Sequence, residues 1–282
     1  MTDKDVYSRK DYDEELHTYG QLLGAAVSVS QAAGGIKTET RYIEATKIFT
    51  RLVIIAVTFF RLLPGNPITR DKQELWDWPS VAAIARNFLE AYLHFFYLGV
   101  ETVTKDEIDF RLKAMWLHLN SEKYRMYKSD PTRIDLSEFE KNLPIKKQQI
   151  QEHPFFRELN KEQQQRVLSG TSPTYMTKSQ LMARLPFPSK ELMWMYRHYS
   201  NEVHSTAFAF SSQSNVRGRG DENVTERAYM IFASWLVRKY LSSAIMSMAK
   251  MFPKEIGVVA GKAVDIAQAQ FDKQMKDNDE IA

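Results

Sequence analysis

The sequence predicts an all-α protein. Two observations carry that expectation. Glycine and proline are scarce, at 11 and 10 in 282 residues, and the prolines cluster. The long proline-free runs space their apolar residues at helical intervals. A hydrophobic fraction of 44%, with 12% aromatics, is enough for a sizeable core and argues against global disorder.

Four helices are expected in the first half. Residues 12–33 form the first, ended by "AAGG". Residues 38–63 form the second, ended by "LPGNP". Residues 79–99 form the third, with Pro79 in the first turn, where its missing N–H costs nothing. Residues 105–128 form the fourth, stopped by "SDP". Composition then shifts. Residues 129–188 hold six of the ten prolines and the polar runs "KNLPIKKQQIQEH" and "RELNKEQQQRV". Short helices between proline turns are expected there. This segment reads as a polar insertion or lid within a single domain spanning 1–282, or equally as a peripheral subdomain of structural use. A further helix runs from 189 to about 209. The polar, glycine-bearing "SSQSNVRGRGDENVTE" reads as a mobile loop. Asp221 or Asn223 is placed to cap the next helix, which runs to about Phe252. Pro253 is expected to open the last helix, whose charged tail "DKQMKDNDEIA" should fray. No fixed-period repeat is present.

The absence of cysteine excludes disulfides, thiolate nucleophiles and cysteine metal sites, and fits a reducing compartment. The net charge of +3 permits a polyanionic partner without demanding one. The charged N-terminus "MTDKDVYSRKDYDEEL" is unlike a signal peptide. "LVIIAVTFFRLL" is too short to span a bilayer, and "MIFASWLVRKYLSSAIMSM" carries Arg238 and Lys239 at its centre. Both are expected to be core helices of a cytoplasmic protein with no membrane association.

Two polar stripes stand out. The helix "PSVAAIARNFLEAYLHFFYLGV" is apolar almost all round, which implies burial. Its polar groups, Arg86, Asn87, Glu90, His94 and Tyr97, share about one quadrant, and Arg86 and Glu90 are spaced four apart for pairing. The stripe is either a structural ion pair or the support of a site. The second stripe lies in "MYRHYSNEVHST", which holds two of the chain's six histidines. On a helix, Arg197 and His204 are two turns apart and nearly in line, about 10 Å along the axis. Ser200 and Asn201 lie between them, His198 points sideways and Glu202 points away. A guanidinium, a hydroxyl, an amide and an imidazole on one face suit the handling of a phosphate.

Arginine, then a polar residue, then histidine resembles the R-x4–6-H motif of the HEPN superfamily (higher eukaryotes and prokaryotes nucleotide-binding), here Arg197-His198-x5-His204 at the longest spacing. The wider pattern is similar to a family of bacterial helical proteins of unassigned function. It pairs an "R…E" helix, here Arg86 and Glu90, with a "Y…S…H" helix, here Tyr196, Ser200 and His204. The resemblance covers residue 79 to about 250, excluding 129–188. It implies a HEPN-like helical bundle with a peripheral helical insertion, commonly a homodimer, whose motif residues gather at the dimer interface. It further implies a metal-independent ribonuclease of a defence, stress or toxin–antitoxin system, with RNA as substrate and an antitoxin or regulatory protein as possible partner. In that reading His204 is the general acid or base and Arg197 stabilises charge on the phosphate. His198 and Asn201 orient the phosphate or the imidazole, and Ser200, Arg86 and Glu90 support them. Glu90 would fix His204 or hold Arg197. The alternative is a non-catalytic helical module that binds a nucleotide, RNA or protein and uses these residues as buried scaffolding.

Other chemistries lack their motifs. There is no HExxH, no phosphate-binding G-x-x-x-x-G-K-[ST], and no repeated E-x-x-H pair for a di-metal bundle. "RGRGDE" follows no expected strand. No cofactor and no metal are expected.

Overall fold

Eleven α-helices carry the regular structure of the computed structural model, which describes residues 7–69, 74–130, 135–186, 189–204, 206–211, 213–215, 217–258 and 260–279. They are α1 (Arg9–Ala32), α2 (Thr40–Leu62), α3 (Trp78–Phe95), α4 (Lys105–Lys128), α5 (Ser137–Gln151), α6 (Lys161–Leu168), α7 (Lys178–Ala183), α8 (Ser189–Val203), α9 (Ala207–Ser211), α10 (Val224–Met251) and α11 (Gly261–Asp279). Among the described residues there is no strand, only one isolated bridge between Trp76 and Gly220. The protein is an all-α helical bundle, and no helix of the described residues is long and apolar enough to cross a membrane.

Local chemistry accounts for the helix ends. Ser8 and Asp11 form a reciprocal capping box at α1. Asp77 caps α3, with Pro79 in its first turn. Thr104 caps α4, whose first turn is acidic and whose last turn carries Arg125 and Lys128, in line with the helix dipole. Asn223 caps α10 by accepting the Glu226 N–H.

Three boundaries depart from expectation. α3 stops at Phe95 and continues as a π-helical turn, Phe96–Val100. The last helix starts at Gly261, and Pro253 lies in a run of turns instead. Phe252 leaves the helical region (φ −131°, ψ 66°), as the steric demand of a following proline favours. The helix expected over 189–209 breaks after Val203, where the Thr206 N–H and hydroxyl turn back to the Asn201 carbonyl. The end of the expected fraying tail, 280–282, lies outside the described residues.

The chain divides into two compact units, Met1–Phe96 with Pro188–Ala282, and Tyr97–Phe187. The second unit begins further upstream than the polar composition alone marks, because it takes in α4. Phe110 of α4 is fully buried among Phe155, Phe156 and Tyr175. Arg111 is likewise buried, between Glu101 and Glu107, with its guanidinium 4.0 Å from the Tyr97 ring centroid. His118 and Arg125 tie α4 to the Gly170 carbonyl.

The first unit is built around α10, which packs against α1, α2, α3 and α11. Its apolar residues face every direction, and Val237, Leu241, Ala244, Ile245 and Met248 are fully buried. Each such large side chain contributes on the order of 1.5–3 kcal/mol. Several polar groups caught in this core have partners, although the buried Ser242 hydroxyl has none among the described residues. The hydroxyls of Tyr12 and Tyr19 donate to the carbonyls of Pro64 and Ala56, and Tyr92 bonds Ser243 at 2.9 Å. Arg238 forms a two-pronged pair with Glu15 of α1 at 2.8 and 2.9 Å, with side chains 8% and 12% exposed. Gln270 of α11 joins them and donates to the Thr18 carbonyl.

Removing the carboxylate strands a buried guanidinium. Glu15→Ala is therefore expected to cost about 3–5 kcal/mol. The double variant Glu15→Ala/Arg238→Met should recover most of that loss, as read by urea denaturation.

Candidate functional site

Helices α3 and α8 pack together in the first unit, so the two polar stripes meet. The Tyr196 hydroxyl donates to Glu90 Oε1 at 2.6 Å, and Arg86 pairs with the same carboxylate at 3.1 Å. Arg86 also donates to the Tyr196 hydroxyl at 3.3 Å and lies over its ring. This Arg86–Glu90–Tyr196 triad is only partly buried, with the Arg86 and Glu90 side chains 19% and 33% exposed and Asn87 fully at the surface. The burial expected of the stripe is thus corrected. Arg86, Asn87 and Glu90 lie along a partly solvated edge of an otherwise buried helix, while Tyr97 at the end of the stripe is fully buried. Glu90 meets Tyr196 rather than Arg197 or His204.

Arg197 and His204 are both exposed, on the side of α8 that faces away from α3. Neither side chain forms a hydrogen bond or ion pair with a described residue. His204 lies one residue past the last turn, its N–H still bonded to the Ser200 carbonyl. Ser200 and Asn201 lie between them, half-buried and already engaged. The Ser200 hydroxyl donates to the Tyr196 carbonyl at 2.7 Å, and the Asn201 amide oxygen accepts from Thr206 at 3.2 Å. The surface beside the pair is apolar, with Met193, Trp194, Val203 and Phe208 exposed.

His198 is elsewhere. It is buried, stacked on the exposed Trp194 (5.4 Å, 7°) and on the buried Trp78 (5.6 Å, 27°), with Phe208 edge-on. Burial, reinforced by Arg217, holds its pKa below the ordinary 6.5. Four residues on, Glu202 shares this inner face and is also buried. Burial pushes its carboxyl up from 4.5, against the opposing pull of the Trp78 indole N–H and Arg217. The indole lies near enough to act on Glu202 but makes no hydrogen bond of proper geometry.

Glu202 and Trp78 border a cavity of about 300 Å³, which also takes in Glu226, Arg217, Arg219 and Phe210. Sequence reading missed it. Its walls come from the start of α3, the end of α8, and the loop ahead of α10, and no short motif joins them. Glu226, three residues after Asn223, has the look of a capping-box glutamate. In the structure it faces Arg217 at 3.3 Å instead. Among the described residues no three His, Asp or Glu side chains converge where a metal ion could be held. No protein-family model, curated protein or solved structure matches the chain.

Two expectations follow from this geometry. Glu90→Ala should cost about 1–2 kcal/mol, less than Glu15→Ala, because solvent screens its ion pair and one charged hydrogen bond is lost. Equilibrium denaturation measures it. His198 titrates lower in the folded state than in the unfolded chain. The unfolded state therefore takes up the proton first, and stability is present above pH 6.5 and lost as pH falls through the window below it. The melting temperature should drop between pH 7.5 and 5.5, and drop less in His198→Gln.

Proposed function

We propose that this protein is a metal-independent endoribonuclease of the HEPN type, acting in a defence, stress or toxin–antitoxin setting. The observation that carries the reading is the common exposure of Arg197 and His204 on one face of α8, with neither side chain committed to the fold. Arg86 and His198, by contrast, are held within the fold, Arg86 by Glu90 and Tyr196 and His198 by stacked rings. Arg197 and His204 keep their polar atoms available to a ligand.

The ribose 2′-oxygen attacks the adjacent phosphorus, and the bond to the 5′-oxygen breaks. A His204 imidazole takes the 2′-OH proton, and a second one supplies a proton to the departing 5′-oxygen. Arg197 neutralises the charge that gathers on the non-bridging oxygens. The products are a 2′,3′-cyclic phosphate and a 5′-hydroxyl. The two imidazoles come from two copies of the chain, so the proposal includes a homodimer in which α8 borders the interface. The exposed Met193, Trp194, Val203 and Phe208 supply apolar surface for it, or for a regulatory protein such as an antitoxin. The Arg86–Glu90–Tyr196 triad sets the orientation of α8 rather than touching RNA.

A second reading, a non-catalytic module that binds a nucleotide, RNA or protein, draws support from that same triad, whose members are paired with one another.

Purified protein in excess chelator should cut single-stranded RNA, leave DNA intact and yield cyclic-phosphate ends. His204→Ala should keep its helical circular dichroism and lose cleavage by about 100-fold or more. A folded His204→Ala that still cuts would refute the assignment. Light scattering at micromolar concentration should give the mass of a dimer, and a strictly monomeric mass would count against a shared cleft.

A further inference from the structure

The cavity beneath α8 holds polar atoms that the fold does not use. Glu226 is 1% exposed. Its Oε1 accepts from Arg217 Nε at 3.3 Å and from the Gly218 N–H at 3.4 Å, while its Oε2 has no partner. Trp78 is 3% exposed, and its indole N–H lies near Glu202 without forming a hydrogen bond of proper geometry. Glu202 brings a second buried carboxyl to the same cavity. Leaving such groups unmatched costs free energy, on the order of 1–3 kcal/mol for each neutral one and more for a charged one. A protein tolerates that cost most readily where a ligand supplies the missing partners.

The inventory defines the ligand. Two carboxyl groups ask for N–H donors, and one indole N–H asks for an acceptor. Arg217 and Arg219 line the same cavity and disfavour a bare cation such as a guanidinium or an amine, which would also leave the indole unmatched. They favour an anionic attachment. Phe210 lines the cavity too, and it is 60% exposed, so its ring can cover a flat heterocycle. A cavity of about 300 Å³ admits a bicyclic base but little more.

Guanine presents two adjacent N–H donors beside a carbonyl acceptor on one edge. Adenine and cytosine each offer a single exocyclic amine beside a ring nitrogen. We propose that this cavity binds the guanine base of a nucleotide, with Glu226 and Glu202 accepting the base N–H groups, Trp78 donating to its carbonyl, and Arg219 meeting the phosphate. The loop that carries the arginines is anchored for this. The Trp76 N–H donates to the Gly220 carbonyl at 2.9 Å, and Gly220 adopts φ +86°, a conformation that favours glycine. The site is separate from Arg197 and His204 and does not depend on RNA cleavage.

Isothermal titration of the full-length protein with 5′-GMP, 5′-AMP, 5′-CMP and agmatine tests it. GMP should bind about tenfold or more tightly than AMP and CMP. Glu226→Gln should weaken GMP by at least about tenfold, because the amide sets a donor against a donor. Because Glu226 also anchors the loop, Glu202→Gln and Phe210→Ala are titrated in parallel, each checked for an unchanged melting profile. Folded Glu202→Gln or Phe210→Ala protein should bind GMP more weakly than the parent. Equal affinity for the three nucleotides, tighter binding of agmatine, no heat with any probe, or full GMP affinity in both folded variants would each overturn the proposal. None of these outcomes bears on cleavage by His204, since the titration reads binding alone.

Discussion

The packing of the first unit depends on the middle of α10, residues 233–245, being buried on nearly every side. A helix at the centre of a bundle cannot turn a polar face to water, so each charged residue it carries must be answered from a neighbouring helix. Arg238 is answered by Glu15 and Gln270, and that one pair fixes α1 and α11 against the centre together. The tyrosine hydroxyls serve the same end at lower cost, each directed to a carbonyl or a serine. With α1, α2, α3 and α11 committed to α10, α8 lies against α3 and is left with a broad outer face.

That arrangement gives α8 two sides with opposite electrostatics. Its inner side carries His198 and Glu202, where burial favours the neutral form of each. Its outer side carries Arg197 and His204 in water. A single fifteen-residue helix thus carries a buried imidazole and a buried carboxyl, Glu202 at the cavity, and turns a cationic surface to solvent. The Arg86–Glu90–Tyr196 triad ties α8 to α3 beside the outer side.

Much of the fold was legible because it is local. Cap residues such as Asn223, the proline in the first turn of α3, and the opposite charges at the two ends of α4 each act within a turn of their own position. The boundaries at Phe95 and Val203 were not legible. A π-helical turn and the Thr206–Asn201 contact depend on how the chain continues in space. At the site, heptad spacing was enough to place Arg197 and His204 on one face. Spacing shows that residues share a side of a helix, but not which side the rest of the protein covers. For that reason the Arg86–Glu90 pair was readable from its spacing, while the contact of Glu90 with Tyr196 and the burial of His198 were not. The cavity residues Trp78, Glu202 and Glu226 come from three separated stretches, and each has an innocent local reading as core, surface or cap.

The chain order of the first unit has a consequence for its synthesis. Glu15 waits for Arg238, which follows 223 residues later, and the whole second unit is made in between. At roughly 5–20 residues per second, Glu15 emerges roughly 10–45 s before Arg238, and the end of α3 about 7–30 s before it. During that interval Tyr12, Tyr19, Phe49 and Phe88, all buried in the finished protein, have no α10 to pack against. The Tyr97–Phe187 unit can collect its own core meanwhile. The N-terminal three helices are the part of this chain that most needs shielding while it is being made.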